Sequence, residues 1–190
     1  RAIADPAKLS AKREFDGPVM GRDKFNPIFA AATSVHVDKE GKWKSWYNSG
    51  ISWEKKEEGW HPKYGIHYAT SNDGVNWSYR PGLIIPIKDE YEHSFGRPSV
   101  VKWDGRYQMW FAHRGTKEYS TYRIGYASSD DGINWTREDS KSGISISESG
   151  WDNESVCYPY LLEHKNIKYM LYTGNKYGLT GSGYAVGRNE

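Results

Sequence analysis

The sequence has one cysteine in 190 residues, so no disulfide can form within the chain. A lone Cys157 fits a reducing compartment and, with no signal-peptide core in the opening residues, favours a cytoplasmic location. Net charge is only +2, which gives no electrostatic case for nucleic acid or an anionic membrane as partner. No apolar run approaches the length of a membrane span. Histidine is scarce: of six, the nearest pair, His61 and His67, sits in the loop WHPKYGIH without helical spacing or a cysteine partner. No metal and no cofactor is therefore expected. Nucleotide loops, a Ser-His-Asp order and reactive-cysteine motifs are also missing, and Cys157 beside an apolar strand reads as buried and inert.

Aromatic residues are abundant, with nine Trp, fifteen Tyr and five Phe beside 20 Gly, which favours strands and tight turns over helices. The opening RAIADPAKLS has no initiator Met, so a chain entered partway is expected. In DPAKLSAKREF, Asp5 as cap and Pro6 in the first turn predict a short helix.

The chain repeats itself. IHYATSNDGVNW (66 to 77) returns as IGYASSDDGINW (124 to 135), with Ile66 on Ile124, Gly74 on Gly132 and Trp77 on Trp135, all 58 apart. Another 58 residues on, Gly125-Tyr126-Ala127 falls on Gly183-Tyr184-Ala185. RPSVVKWDGRYQMWFAHRG (97 to 115) matches YPYLLEHKNIKYMLYTGN (158 to 175), with Pro98 on Pro159 and Met109 on Met170, 61 apart. An earlier, weaker copy is SVHVDKEGKWKSWYNSG (34 to 50). A period of about 60 residues marks a repeat architecture.

Each unit reads as four strands. SVVKW and YQMWFAH flank Asp104-Gly105, the pair a type I′ hairpin turn requires, and RIGYASS and a short strand at Trp135 flank Asp131-Gly132. Four antiparallel strands at this period predict a β-propeller blade, so the fold expected is all-β, a partial propeller of three blades. Residues 1-28 read as a lead-in, 29-89 and 90-148 as blades, and 149-190 as a last, incomplete blade. Three blades do not close a ring, and an open array leaves sheet edges that favour self-association.

SSDDGINW and TSNDGVNW resemble the Asp-box of sialidases, Ser/Thr-x-Asp-x-Gly-x-x-Trp, with Asn72 in place of the Asp in the first copy. That resemblance implies a structural turn on the outside of a blade, with Asp130, Asp131 and Trp135 holding a hairpin. From residue 17 onward the pattern resembles five-bladed glycosidase-like proteins related to glycoside hydrolase families 43, 32 and 130. The resemblance implies the C-terminal blades of a five-bladed ring and a saccharide ligand in its funnel. In those families carboxylates sit at the starts of innermost strands, one directly before a Pro and another two residues before a Pro. Here Arg97 precedes Pro98, and Cys157 stands two before Pro159.

Glycoside hydrolysis needs two carboxyl groups across the scissile bond, one of them an acid with a raised pKa. The segments before the innermost strands, DEYEHSFGRP (89 to 98) and GWDNESVCYP (150 to 159), supply the candidates. Glu154 is the first choice as general acid and Glu92 the second carboxylate; the alternative is that both are solvated loop residues. His93 and Glu154 each stand five before a Pro, so adjacent blades would present them side by side. Asp152 and Tyr158 are neighbouring candidates for substrate contact. Arg97 reads either as a clamp for a carboxylate or sugar hydroxyls or as an inter-blade pair. His113, Arg114, Asn175 and Tyr177 occupy matching strand ends, as a saccharide pocket or as turns that satisfy their own backbone. Trp46, Trp110 and Tyr172 read as core between blades. Two functions follow: a glycoside hydrolase-like protein acting on oligosaccharide, or a carbohydrate-binding or assembly module that has lost its acids. A sialidase needs an arginine cluster, for which only Arg97 and Arg114 qualify.

Overall fold

The computed structural model describes residues 2–187, which are built almost wholly of strands and turns. None of its helices is long and apolar enough to cross a membrane. Strands β1 (Ala2–Asp5) and β2 (Ser10–Arg13) pair as a small antiparallel hairpin. The helix expected there does not form. Asp5 Oδ1 accepts the N–H groups of Ala7 and Lys8, and Leu9 takes a φ of 49°, so the cap-like carboxylate builds a turn instead. No apolar stripe follows to carry a helix onward.

Three antiparallel meanders make up the rest. The first runs β3 (Ala30–Val37), β4 (Trp43–Lys56), β5 (Gly59–Ser71) and β6 (Trp77–Arg80). The second is β7 (Ser94–Trp103), β8 (Arg106–Arg114), β9 (Arg123–Ser129) and β10 (Thr136–Arg137). The third, among the described residues, is β11 (Cys157–His164), β12 (Ile167–Thr173) and β13 (Ser182–Val186). One parallel pair, Tyr64 with Ser94, joins the first sheet to the second. Strands β4 and β5 run on past the sheet as a two-stranded arm, paired down to Lys56 with Gly59. WHPKYGIH is therefore strand rather than loop.

The hairpin turns follow their residues. Asp104 and Gly105 adopt φ of 52° and 79°, the left-handed pair that a type I′ turn needs. The Asp-box turns are built twice on one plan. Ser129 Oγ donates to Asp131 Oδ1 and accepts the N–H of Gly132, while that carboxylate accepts the N–H groups of Ile133 and Asn134 and the Asn134 side chain. Ser71, Asp73, Gly74, Val75 and Asn76 repeat every one of these bonds. The donors, the N–H of Asn76 and of Asn134 foremost, hold both carboxyls well below the ordinary range. The turn-holding acid is thus Asp131, one place after the position that the Asp-box comparison marks. Asp130 instead pairs with Arg106 at 2.7 Å on the surface, and Asn72 leaves the first turn intact.

The core lies between sheets. Trp46, Ile66, Tyr68, Ile85, Phe95, Met109 and Phe111 fill the space between the first and second, and Trp110, Ile124, Val156, Leu161 and Met170 that between the second and third. Trp46 is wholly buried, and its Nε1 donates to Gly132 O of the second sheet's turn at 2.7 Å. Asn48 Nδ2 donates across the same joint to Phe95 O. The innermost strands are laced by serines: Ser34 Oγ accepts the Val100 N–H and Ser99 Oγ accepts the Leu161 N–H, both at 3.0 Å.

Each innermost strand also carries the same fault. Pairing slips between Ala31 and Ser34 in β3, Gly96 and Ser99 in β7, and Cys157 and Tyr160 in β11. At each slip one non-glycine residue adopts a left-handed φ: Ala32 at 49°, Arg97 at 36° and Tyr158 at 57°. Three aligned β-bulges of this kind re-aim three side chains near one end of the sheets.

If the Trp46 indole joins the first two sheets, Trp46→Phe will lower unfolding stability by about 1–2 kcal/mol through the lost bond and contact. Urea denaturation reads this as a lower midpoint at unchanged m; a midpoint equal to wild type would remove the indole from that role.

Candidate functional site

The register collects one set of strand ends. Ser94 pairs with Arg114 and His113 with Arg123, so the start of β7, the end of β8 and the start of β9 lie together. The start of β11, the end of β12 and the β4–β5 arm fall at the same end. Every candidate residue named from the sequence lies there, but in two different settings.

The first setting is buried. Glu92 is 0% exposed and accepts four bonds: Lys88 N–H at 2.6 Å, Arg137 Nη1 at 2.9 Å and Nη2 at 2.8 Å, and His113 Nδ1 at 2.7 Å. Arg137 packs against the stacked Phe95 and Phe111 rings, 5.4 and 5.3 Å from their centres, and also binds Asp139 and Pro86 O. Burial by itself would raise the Glu92 carboxyl, but Arg137, His113 and the Lys88 N–H outweigh it and hold the group at about 2. A second carboxylate acts as base or nucleophile in its ionised form and must reach the substrate. Glu92 is ionised but fully buried with both oxygens occupied, so its expected role as second catalytic carboxylate is corrected to that of a structural anion. His113, 1% exposed and hydrogen-bonded to Glu92, is likewise removed from ligand contact.

Asp152 and Asn175 are corrected in the same way. Asp152 is buried and accepts the Tyr172 hydroxyl at 2.9 Å. Asn175 is buried; its Oδ1 accepts the N–H groups of Glu154 and Ser155, and its Nδ2 donates to Asn153 Oδ1. Each fixes the loop before β11, as Glu92 and His113 fix the loop before β7.

The second setting is open. Arg97, on the β7 bulge, places its guanidinium 6.0 Å from the centre of the Tyr158 ring, on the β11 bulge. Tyr158 stacks on Tyr177 with centroids 6.5 Å apart. Tyr177 has a φ of 62° inside the short helical turn Asn175–Gly178, following Lys176 at 51°. Arg114 Nη1 donates to the Tyr177 hydroxyl at 2.8 Å, and its guanidinium lies 5.0 Å from the Tyr122 ring. Arg114 Nε is buried and has no hydrogen-bond partner among the described residues. The Tyr122 and Tyr64 hydroxyls meet at 3.2 Å. Burial first, then the neighbouring Tyr64, pushes the Tyr122 hydroxyl far above its usual range, so it stays protonated.

His93 and Glu154 flank this cluster, His93 through backbone bonds to Arg114 and Tyr64. The His93 ring bonds Ser94 Oγ at 2.6 Å beside the base of the arm. Burial, with Lys56 and Arg114 close by, lowers it to about 4, leaving a neutral imidazole at neutral pH. The Glu154 backbone is held at its N–H by Asn175 and at its carbonyl by Thr121 and Arg123, while its exposed carboxylate has no partner among the described residues.

Sequence reasoning missed three residues here. Tyr64 and Tyr122 stand 58 apart, the spacing of the repeat, so extending the alignment two residues before Ile66 reaches both. Arg137 ends a strand of two residues, and nothing local in the sequence marks it as the partner of Glu92.

No family model matches the chain. It is 36% identical over 172 residues to the uncharacterized protein MT1551 of Mycobacterium tuberculosis (strain CDC 1551 / Oshkosh), covering 90% of this chain and 55% of that one. A 1,2-beta-oligomannan phosphorylase of Thermoanaerobacter sp. (strain X514) is 31% identical over 117 residues, 58% of this chain and 36% of the enzyme. Among solved structures, a glycoside hydrolase superposes with a TM-score of 0.74 at 19% identity, over 98% of this chain and 55% of its own. A family 117 glycoside hydrolase from Zobellia galactanivorans gives 0.72 at 20% identity, over 90% and 56%. A GH43 beta-xylosidase/alpha-arabinofuranosidase in complex with xylotriose gives 0.56 at 20% identity, over 85% and 46%. The fold is that of the β-propeller glycoside hydrolases. The chain spans about half the length of the first curated relative it matches.

Removing the Glu92 charge tests its assignment. Above about pH 4.5 the ionised carboxylate contributes its full stabilisation, which is lost as pH falls through about 2. Glu92→Gln will therefore cost about 3–5 kcal/mol at pH 7 and make unfolding less sensitive to acid below pH 4.5. Denaturant titrations across pH 2–7 measure both; parallel curves for the two proteins would contradict the assignment.

Proposed function

We propose that this protein is glycosidase-like and holds an oligosaccharide at the open end of its sheets, against Tyr158 and Tyr177. The observation that carries this reading is the triple bulge. Left-handed backbone at a non-glycine residue is strained, and such strain gathers at functional sites. Here it recurs on every innermost strand and turns Arg97 and Tyr158 toward one aromatic surface. Tyrosine faces beside guanidinium and hydroxyl groups suit a sugar ring, which has apolar C–H faces and polar edges. The same reading takes the three meanders as three of five blades, supported by the 55% of a solved glycoside hydrolase that the chain spans.

Glu154 is the candidate general acid in this scheme. Its backbone is pinned on both sides while its carboxylate stays free to reach a glycosidic oxygen. A non-catalytic binding module is the second reading, and one observation favours it. The positions where the resemblance calls for carboxylates hold Arg97 in one strand and Cys157 in the next. Cys157 is fully buried, with its sulfur against Thr173 Oγ1.

The two readings separate with Glu154→Gln, assayed on an oligosaccharide panel by product release and by calorimetric binding. A hydrolase will lose about 10²–10⁴-fold in turnover while keeping its affinity, as removal of a general acid does. A binding module will release no product in either form and bind equally in both. Failure of every saccharide to bind would end both readings.

A further inference from the structure

The open cluster contains two guanidiniums that form no ion pair among the described residues. Among the described residues, Arg106 pairs with Asp130, and Arg137 with Glu92 and Asp139. Neither Arg97 nor Arg114 forms an ion pair, and both lie against one run of tyrosine rings. Arg97 is exposed and reaches Tyr158 from one side. Arg114 is half-buried, anchored by Nη1 on the Tyr177 hydroxyl, and its Nε is shut off from water without an acceptor. A buried N–H donor left unmet is costly, and although burial opposes the Arg114 charge, the neighbouring Tyr122, Tyr177 and Tyr64 hydroxyls outweigh it and keep the guanidinium charged. The surrounding hydroxyls of Tyr64, Tyr122 and Tyr177 supply dipoles but no negative charge. The chain therefore holds positive charge in a half-desolvated aromatic setting where a neutral sugar would leave it uncompensated.

We infer that the saccharide taken here is acidic, a uronic acid residue whose ring lies on Tyr158 and Tyr177 and whose carboxylate meets Arg97 and Arg114. This deepens the saccharide reading above and rests on it. The planar guanidinium fork matches a carboxylate, and such charge-assisted bonds are about twice as strong as neutral ones. A sugar acid also explains the chemistry that the bulge positions hold. A carboxylate at residue 97 or 158 would repel an anionic sugar at close range, whereas arginine and tyrosine receive one.

Oligomers of galacturonic, glucuronic and mannuronic acid, each beside its fully methyl-esterified form, provide the test, because esterification removes the charge and keeps the skeleton. Calorimetry on the whole protein at low and high salt measures each pair, with inorganic phosphate as a further probe. The expected result is at least one acid bound about tenfold or more tighter than its ester, a preference that shrinks with salt. Arg97→Gln, at an exposed side chain, will bring acid and ester to nearly equal affinity, and Arg114→Gln will do the same; a preference that survives both variants overturns the inference. Equal binding of every acid and its ester overturns the inference and leaves the saccharide reading standing. Binding of phosphate as tight as that of the acids also overturns it, by making the pair a general anion site. No binding by any sugar, charged or neutral, removes both.

Discussion

The innermost strands cannot be regular, and the rest of the molecule is arranged around that constraint. Where β3, β7 and β11 approach one another, each breaks its ladder at the same place and passes through a left-handed residue. Sheet-to-sheet packing over-determines the break. Ser34 and Ser99 hold the strands just beyond it to their neighbours, and Gly96 leaves room for the Tyr158 ring, which a Cβ there would meet at 3.3 Å. Local strain persists only under such support. The repeat supplies that support three times over, and the functional surface grows from its exposed side.

Loops before the innermost strands are anchored by different chemistry at equivalent places. In the second sheet the anchor is ionic, Glu92 with Arg137 and His113; in the third it is an amide, Asn175 holding Asn153, Glu154 and Ser155. Both hold the end of a second strand against the loop preceding a first. A buried ion pair and a buried amide can fill one structural role because each satisfies every donor it meets. This is why acidic and polar residues in those loops are a poor guide to chemistry: most of them are spent on architecture.

Much of the architecture was legible in the chain. Asp104-Gly105 forecast its turn, and the spacing between Ile66 and Ile124 set two meanders side by side. The errors have physical reasons. Asp5 and Pro6 serve a turn as readily as a helix, and only the missing apolar stripe distinguishes them. The Asp-box comparison marked Asp130, but the carboxylate that reaches the turn's N–H groups is the next residue, while Asp130 pairs with Arg106 on the surface. Glu92 and Arg137 are 45 residues apart, so their union depends on tertiary packing alone. The stacked tyrosines were half visible: Tyr158 and Tyr177 were named, whereas Tyr64 and Tyr122 needed the repeat followed a little further back.

The braced turns bear on how the protein ages. Asp-Gly linkages isomerise when the glycine nitrogen attacks the preceding carboxyl carbon, which requires a free N–H and a mobile, protonatable acid. At Asp73-Gly74 and Asp131-Gly132 that nitrogen is bound to a serine hydroxyl and the carboxylate is held ionised by several donors. Asp104-Gly105 has no such brace, and its side chain is 85% exposed with Lys168 at 3.3 Å. Isoaspartate damage in stored protein will therefore concentrate at Asp104-Gly105 on its hairpin tip and at the exposed Asp16-Gly17, and the repeat's two most similar turns will outlast both.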